Sequence, residues 1–371
     1  RDWSSDVCSS DLTVKCWGGN AFGQLGLGDS VNRGDSLLAS PDHRMGDHLP
    51  SVNLGVRIRS IAAYGDNTCA VLEDRSLECW GSNSEGQLGL GDTEWRGDAP
   101  GEMGNHLPVV ALGAGRTVLA LAPNGQGSYH SCAILDDRSV KCWGSNDFGQ
   151  LGLGNSVSRG DSLDAGHQMG DLLPAVDLGT GRTARALAIG GAHTCALLDN
   201  GTVKCWGANT AGQLGLGDMV SRGDSAAAGH GMGDLLSGVS LGSGRKAKAI
   251  TAGTNHTCAL LDNATVKCWG SNSHGQLGLG DTVNRGDSTA PGHTMGALLP
   301  PVSLGRKAKA VVAGGEHTCA LLDNGSVKCW GDNTYGQLGL GNSTVTDKDK
   351  IGDGLNEMGS NLPTVNQIGR A

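Results

Sequence analysis

A fixed period governs this chain. The triplet Cys-Trp-Gly starts at Cys16, Cys79, Cys142, Cys205, Cys268 and Cys329, a step of 63 residues four times and then 61. Around it a longer string returns with small changes: His-Thr-Cys-Ala-Leu-Leu-Asp-Asn-Gly-Thr-Val-Lys-Cys-Trp-Gly at 193–207, with counterparts at 67–81, 130–144, 256–270 and 317–331. Periodicity on this scale means one supersecondary unit copied in series. Such a unit cannot bury its apolar face alone, so the copies must pack on one another.

Within a unit, Cys195-Ala-Leu-Leu198 runs into Asp199-Asn200-Gly201 and out through Thr202 to Trp206. Asn-Gly between two apolar runs signals a hairpin, because Gly takes the positive φ the turn demands. A three-residue loop with Gly201 in the left-handed region sets Leu197 opposite Val203 and Cys195 opposite Cys205. Upstream, Ala184 to Ile189 alternates as a strand should, and Leu173 to Leu178 gives a shorter, Pro-edged strand. The expectation is four short antiparallel strands per repeat and very little helix, since no segment combines a 3.6-residue apolar period with helix caps. Radial packing of such sheets gives a β-propeller of about six four-stranded blades. Gly is 63 of 371 residues, more than twice its usual share of about 7%. One Trp per repeat (Trp17, Trp80, Trp143, Trp206, Trp269, Trp330) reads as the apolar wedge between neighbouring sheets.

The recurring string, continued through Trp-Gly-x-Asn-x-x-Gly-Gln-Leu-Gly-Leu-Gly, resembles the repeat of the regulator of chromosome condensation family, from Thr13 onward. The resemblance implies a propeller, usually of seven blades. This chain has six Cys-Trp-Gly units and a longer repeat, the extra length falling between Gly-Leu-Gly-Asp and Leu-Pro, as in 282–296. The units are drawn at roughly 13–50 (partial), 51–111, 112–172, 173–237, 238–299 and 300–371, in one propeller domain spanning 13–371. Residues 1–12, a Ser/Asp string with Cys8, fit no part of the repeat. They resemble a translated sequencing adapter, a non-native tail, and the chain reads as a fragment at both ends.

The formal net charge is −9, or −7 without the charged residues of that tail (Arg1, Asp2, Asp6, Asp11). An acidic chain without a basic stripe makes a poor polyanion binder, which argues against nucleic acid. No apolar run approaches 18 residues, so no membrane span is expected. Five cysteine pairs share a spacing of ten: Cys69/Cys79, Cys132/Cys142, Cys195/Cys205, Cys258/Cys268 and Cys319/Cys329. Zinc knuckles are absent. Directly opposed strand residues lie close enough for disulfides, so cross-strand disulfides are favoured over buried thiols. They would place the protein, read as bacterial, in an extracytoplasmic compartment: secreted, periplasmic or on the cell surface.

Candidate chemistry is weighed against the repeat. A His-Thr or His-Ser step in nearly every unit (His130, His193, His256, His317) suggests a tie between turn and strand before it suggests acid–base work. Arg-Gly-Asp, starting at Arg33, Arg96, Arg159, Arg222 and Arg285, reads as an Arg–Asp or Arg–backbone tie. No cofactor is expected; calcium at Asp281, Asp287 and their equivalents is the open alternative. Catalysis needs residues that break the symmetry, and no Ser/His/Asp or paired-carboxylate set does. Two loop positions do break it. Before Gly-Gln-Leu-Gly stand Phe22, Glu85, Phe148, Ala211, His274 and Tyr335; before the His step stand Asp66, Tyr129, Ala192, Asn255 and Glu316. A fixed scaffold with one variable side chain per repeat displays a binding surface.

The expectation is a non-enzymatic protein-interaction scaffold, monomeric, with an unknown protein partner. Two alternatives stand beside it: a sugar-binding or enzyme-associated module, and a guanine-nucleotide exchange factor. The resemblance also includes a plant ultraviolet photoreceptor that uses Trp clusters before the His-Thr step, where this chain has none. It further includes a secreted β-lactamase inhibitor whose contact residues do not match here.

Overall fold

The described sheets are each organised around the hairpin at the centre of a repeat. A computed structural model describes residues 14–34, 46–122, 127–227, 229–340 and 350–365. The tail at 1–12, with Cys8, lies outside the described residues. The described secondary structure is β apart from five three-residue 3-10 turns, Gly46–His48, Gly104–His106, Gly170–Leu172, Gly233–Leu235 and Gly296–Leu298.

The chain divides into two compact units. The first comprises Arg1–Asp147 and Val157–Val176. It holds two three-stranded sheets: β1 (Ile58–Tyr64), β2 (Asn67–Leu72) and β3 (Leu77–Gly81), then β4 (Val118–Leu121), β5 (His130–Leu135) and β6 (Val140–Gly144). The second comprises Phe148–Ser156 and Asp177–Ala371. Its sheets are β7 (Ala184–Ile189), β8 (His193–Leu198) and β9 (Val203–Gly207), then β10 (Ala247–Ala252), β11 (His256–Leu261) and β12 (Val266–Gly270). A four-stranded sheet follows, of β13 (Ala308–Ala313), β14 (His317–Leu322), β15 (Val327–Asp332) and β16 (Lys350–Ile351).

The hairpins have the expected register: Leu197 opposite Val203 and Cys195 opposite Cys205. Gly201 has φ +85°, and Arg75, Arg138 and Ala264 adopt the same left-handed conformation elsewhere, each at a cost of about 1 kcal/mol. All five cysteine pairs spaced by ten are joined as disulfides.

The fourth strand differs from expectation. Leu173 to Leu178 is not a regular strand, and outside the last sheet the outer edge is split into two short ties. Arg96, Arg159, Arg222 and Arg285 form single antiparallel bridges with Gly81, Gly144, Gly207 and Gly270. At the other end of the same strands, Val110, Val176, Val239 and Val302 donate to Leu77, Val140, Val203 and Val266. The Gly-rich insertion leaves the edge between the two ties, and Pro, lacking an N–H, cannot extend the ladder.

Trp80, Trp143, Trp206, Trp269 and Trp330 are fully buried, each removing on the order of 200 Å² from water, worth about 5 kcal/mol. Their indoles also make the tie between successive repeats. Trp269 Nε1 donates to Gln213 O of the preceding repeat at 3.0 Å, and the other four donate to Gln24, Gln87, Gln150 and Gln276. The same carbonyl accepts a hydroxyl from the strand beside the Trp, such as Thr257 Oγ1 to Gln213 O at 2.9 Å or Ser131 Oγ to Gln87 O at 3.0 Å. Trp17 departs from the wedge reading: it is 48% exposed and lines a cleft of about 340 Å³ with Gln24, Asp66 and Thr68. Among the described residues no earlier Gly-Gln-Leu loop exists to receive it.

Candidate functional site

The variable residues sit on loops that are clamped from within. In the fifth complete loop, Asn272 Oδ1 accepts from Leu277 N at 3.0 Å, while its amide donates to Asp281 O at 2.7 Å. Asn20, Asn83 and Asn209 repeat both contacts. Gln276 Oε1 then accepts the backbone N–H of His274 at 2.8 Å. The same bond fixes Phe22 to Gln24, Glu85 to Gln87, Phe148 to Gln150, Ala211 to Gln213 and Tyr335 to Gln337. Close packing seals the base of the loop. Gly212 has φ +81°, and a Cβ there would meet Asp287 N at 2.3 Å. The backbone under each variable side chain is thus held while the side chain itself is free to change.

The glutamine does more than clamp. Its amide nitrogen reaches the residue before the His step of the following repeat: Gln24 to Asp66 at 3.5 Å, Gln213 to Asn255 at 3.5 Å, and Gln276 to Glu316. The two variable series, read separately in the sequence, therefore meet at these loops. His274 Nδ1 stands 4.0 Å from Glu316 Oε2, and burial pushes the Glu316 carboxyl above its ordinary value. Burial likewise raises Glu85, helped by Asp147 and Asp161. Tyr335 is 92% exposed, Tyr129 47% and Phe148 45%. Phe22 is half-buried, packed edge-to-face on Trp95 with ring centroids 4.9 Å apart. Trp95 was missed in the sequence reading; its signal was that it is a tryptophan outside the Cys-Trp-Gly frame, at a loop position.

The other candidates are structural. His256 Nε2 lies 2.9 Å from Thr318 Oγ1, and that hydroxyl donates its one hydrogen to Gln276 O at 2.9 Å. The imidazole must therefore be the donor, with its proton on Nε2. Burial lowers His256 to about 3, with His193 and His317 adding to the effect, and lowers His130 to about 3. Both rings are neutral at neutral pH. Arg33, Arg96, Arg222 and Arg285 pair with Asp29, Asp92, Asp218 and Asp281 at 2.6–2.7 Å, the aspartate four residues upstream and not the one within Arg-Gly-Asp. In three repeats that latter aspartate faces a histidine instead: Asp161 with His167, Asp224 with His230, Asp287 with His293. The carboxylates of Asp281 and Asp287, considered for calcium, are both engaged in this way. Among the described residues no group of three or more His, Cys, Asp or Glu is placed to hold a metal ion, and no helix is long and apolar enough to cross a membrane.

Comparison with known proteins agrees with this architecture. Models of the regulator of chromosome condensation (RCC1) repeat match residues 58–87, 125–150, 184–213, 247–276 and 308–337, and a second such model matches 139–197 and 265–321. The ultraviolet-B receptor UVR8 of Arabidopsis thaliana is 30% identical over 358 residues, covering 95% of this chain and 68% of the receptor. The secretion-regulating guanine nucleotide exchange factor of Bos taurus is 30% identical over 345 residues, covering 91% of this chain; the chain spans 63% of that relative's length. Among solved structures, human WBSCR16 superposes with a TM-score of 0.62 at 20% identity, over 90% of this chain and 76% of that one.

Proposed function

As a member of the regulator of chromosome condensation repeat family, with the all-β fold of its propellers, the chain is, we propose, a non-enzymatic scaffold that binds a protein partner through its loop tips. One observation carries the reading. Gln Oε1 pins the backbone of the variable residue in six loops, and in three of them Gln Nε2 also binds the second variable residue. Geometry is held constant while size and charge change from tip to tip, which is what recognition requires and what a single catalytic centre does not. The exposed aromatics Phe148 and Tyr335 are natural anchors for a partner. Five disulfides support work in an oxidising compartment.

The test pairs binding with stability. Phe148→Ala together with Tyr335→Ala should cost about 2 kcal/mol or more of partner binding, whereas exposed substitutions shift stability by less than about 0.5 kcal/mol. A parallel loss of melting temperature would show that these are packing residues, and would overturn the proposal. The name of the bovine relative supplies the competing reading, guanine-nucleotide exchange. Release of labelled GDP from a small GTPase, accelerated by this protein, would favour it. Photoreception is disfavoured by Asp66, Tyr129, Ala192, Asn255 and Glu316 standing where the photoreceptor's Trp residues would be sought.

A further inference from the structure

One position on the outer strand of each hairpin carries a buried charge, and its sign changes once. Lys141, Lys204, Lys267 and Lys328 sit directly opposite Ala133, Ala196, Ala259 and Ala320. All four lysines are buried, and each ammonium is held by main-chain carbonyls at the end of the inserted segment, three of them also by one just after Leu-Pro. Lys141 Nζ donates to Leu112 O at 2.8 Å and Gly170 O at 2.7 Å; Lys204 Nζ donates to Leu178 O at 3.1 Å and Gly233 O at 2.7 Å. Lys267 reaches Gly296 O at 2.6 Å, and Lys328 reaches Leu304 O and Gly359 O. The cation closes the insertion onto the sheet.

In the remaining complete repeat this position is Glu78, opposite Ala70. Glu78 is 6% exposed, and its Oε2 is buried without a hydrogen-bond partner. The carbonyls equivalent in sequence to those that receive the lysines are Leu54 and Gly104. The neighbouring residue changes too. Asp234 Oδ1 and Lys204 Nζ lie against Gly179, whereas Asn105 Oδ1 lies against the equivalent Gly55. Asn105 thus keeps an oxygen where Asp171 and Asp234 stand, without their charge; beside Lys267 and Lys328 the same position is Ala297 and Ser360. The ammonium is gone, and a carboxylate, two carbonyl oxygens and the Asn105 amide oxygen are assigned to its position.

We propose that Glu78, with the Leu54 and Gly104 carbonyl oxygens and Asn105 Oδ1, binds a hard divalent cation, calcium, at the place where other repeats hold an ammonium. Calcium accepts carboxylate, carbonyl and amide oxygens in flexible geometry. A carboxylate with a divalent ion carries a net +1, the charge of the lysine it replaces. With one charged ligand the affinity belongs to the weak class, about 10⁻⁴ to 10⁻³ M. The site is separate from the Asp281 and Asp287 loops.

The test uses the full chain stripped with EDTA at mildly alkaline pH. Melting is followed with and without millimolar calcium chloride, and heats of calcium binding are measured alongside. The expected result is a higher melting temperature with calcium for the wild type and none for Glu78→Gln. Glu78→Lys should melt higher than the wild type in EDTA and ignore calcium. A wild type indifferent to calcium would overturn the proposal, as would a Glu78→Gln variant that keeps the full calcium shift. A wild type stabilised equally by mild acid with or without calcium would show that a proton, not a cation, occupies the site.

Discussion

Thr318→Val should unfasten one repeat from the next while changing almost no volume. The Thr318 hydroxyl, fully buried, donates to Gln276 O at 2.9 Å and accepts from His256 Nε2 at 2.9 Å. Valine removes both contacts at once. The carbonyl is still served by Trp330 Nε1 at 2.9 Å, so that loss is one ordinary hydrogen bond, about 1 kcal/mol. The imidazole fares worse. Its Nδ1 already has no partner, and its Nε2–H would be stranded in the interior at a cost of about 1–3 kcal/mol. The sum is roughly 2–4 kcal/mol. Urea unfolding followed by tryptophan fluorescence reads it directly, because Trp330 sits on the same carbonyl; the change should appear in the midpoint at constant slope. Thr318→Ser is the control. It keeps the hydroxyl, and the chain already uses Ser131 at the equivalent position, 3.0 Å from Gln87 O. A valine variant as stable as the serine variant would refute the reasoning.

Acid should weaken the fold in a defined window. His130 and His256 are lowered to about 3 by burial, so below the ordinary value of about 6.5 the unfolded chain binds protons that the folded chain refuses. Stability is complete above that pH and falls by about 1.4 kcal/mol per pH unit per histidine as pH drops toward 3. Glu78, raised to about 7, runs the opposite way between its ordinary value and 7 and offsets one histidine there; Glu78→Gln should steepen the fall. Urea midpoints that stay level or rise between about pH 6.5 and 5 in that variant would contradict the burial argument. For the cysteines, the denatured but unreduced chain should protect ten of its twelve from thiol reagents. Titration of ten or more would disprove the pairing.

The hairpins were legible because their chemistry is local. Asn200-Gly201 fixes the loop, the loop fixes the register, and the register sets Cys195 on Cys205. The outer edge was not legible. Leu173 to Leu178 has the composition of a strand, but only Val176 bonds to its neighbour, at Val140. Whether an apolar run pairs along its length or at one point depends on where the insertion before it leaves the sheet. The variable positions were visible as departures from the repeat. That Gln276 would bring His274 and Glu316 together was not, since it needs the packing of one repeat on the next. Trp95 beside Phe22 was missed for the same reason.

The tie between repeats has an orientation. Both donors, indole and hydroxyl, always belong to the later repeat, and the acceptor always belongs to the earlier one. Each joint therefore has the same plug and the same socket, independent of the residue at the loop tip. The copy spanning β10 to β12 could be replaced by another copy of the period without altering the indole and hydroxyl bonds of either joint, while the displayed tip changes from His274 to whatever the donor copy carries. Recombination between copies is then a route to new surfaces that keeps the bonds joining one repeat to the next, so the displayed tips can diverge faster than the fold that carries them.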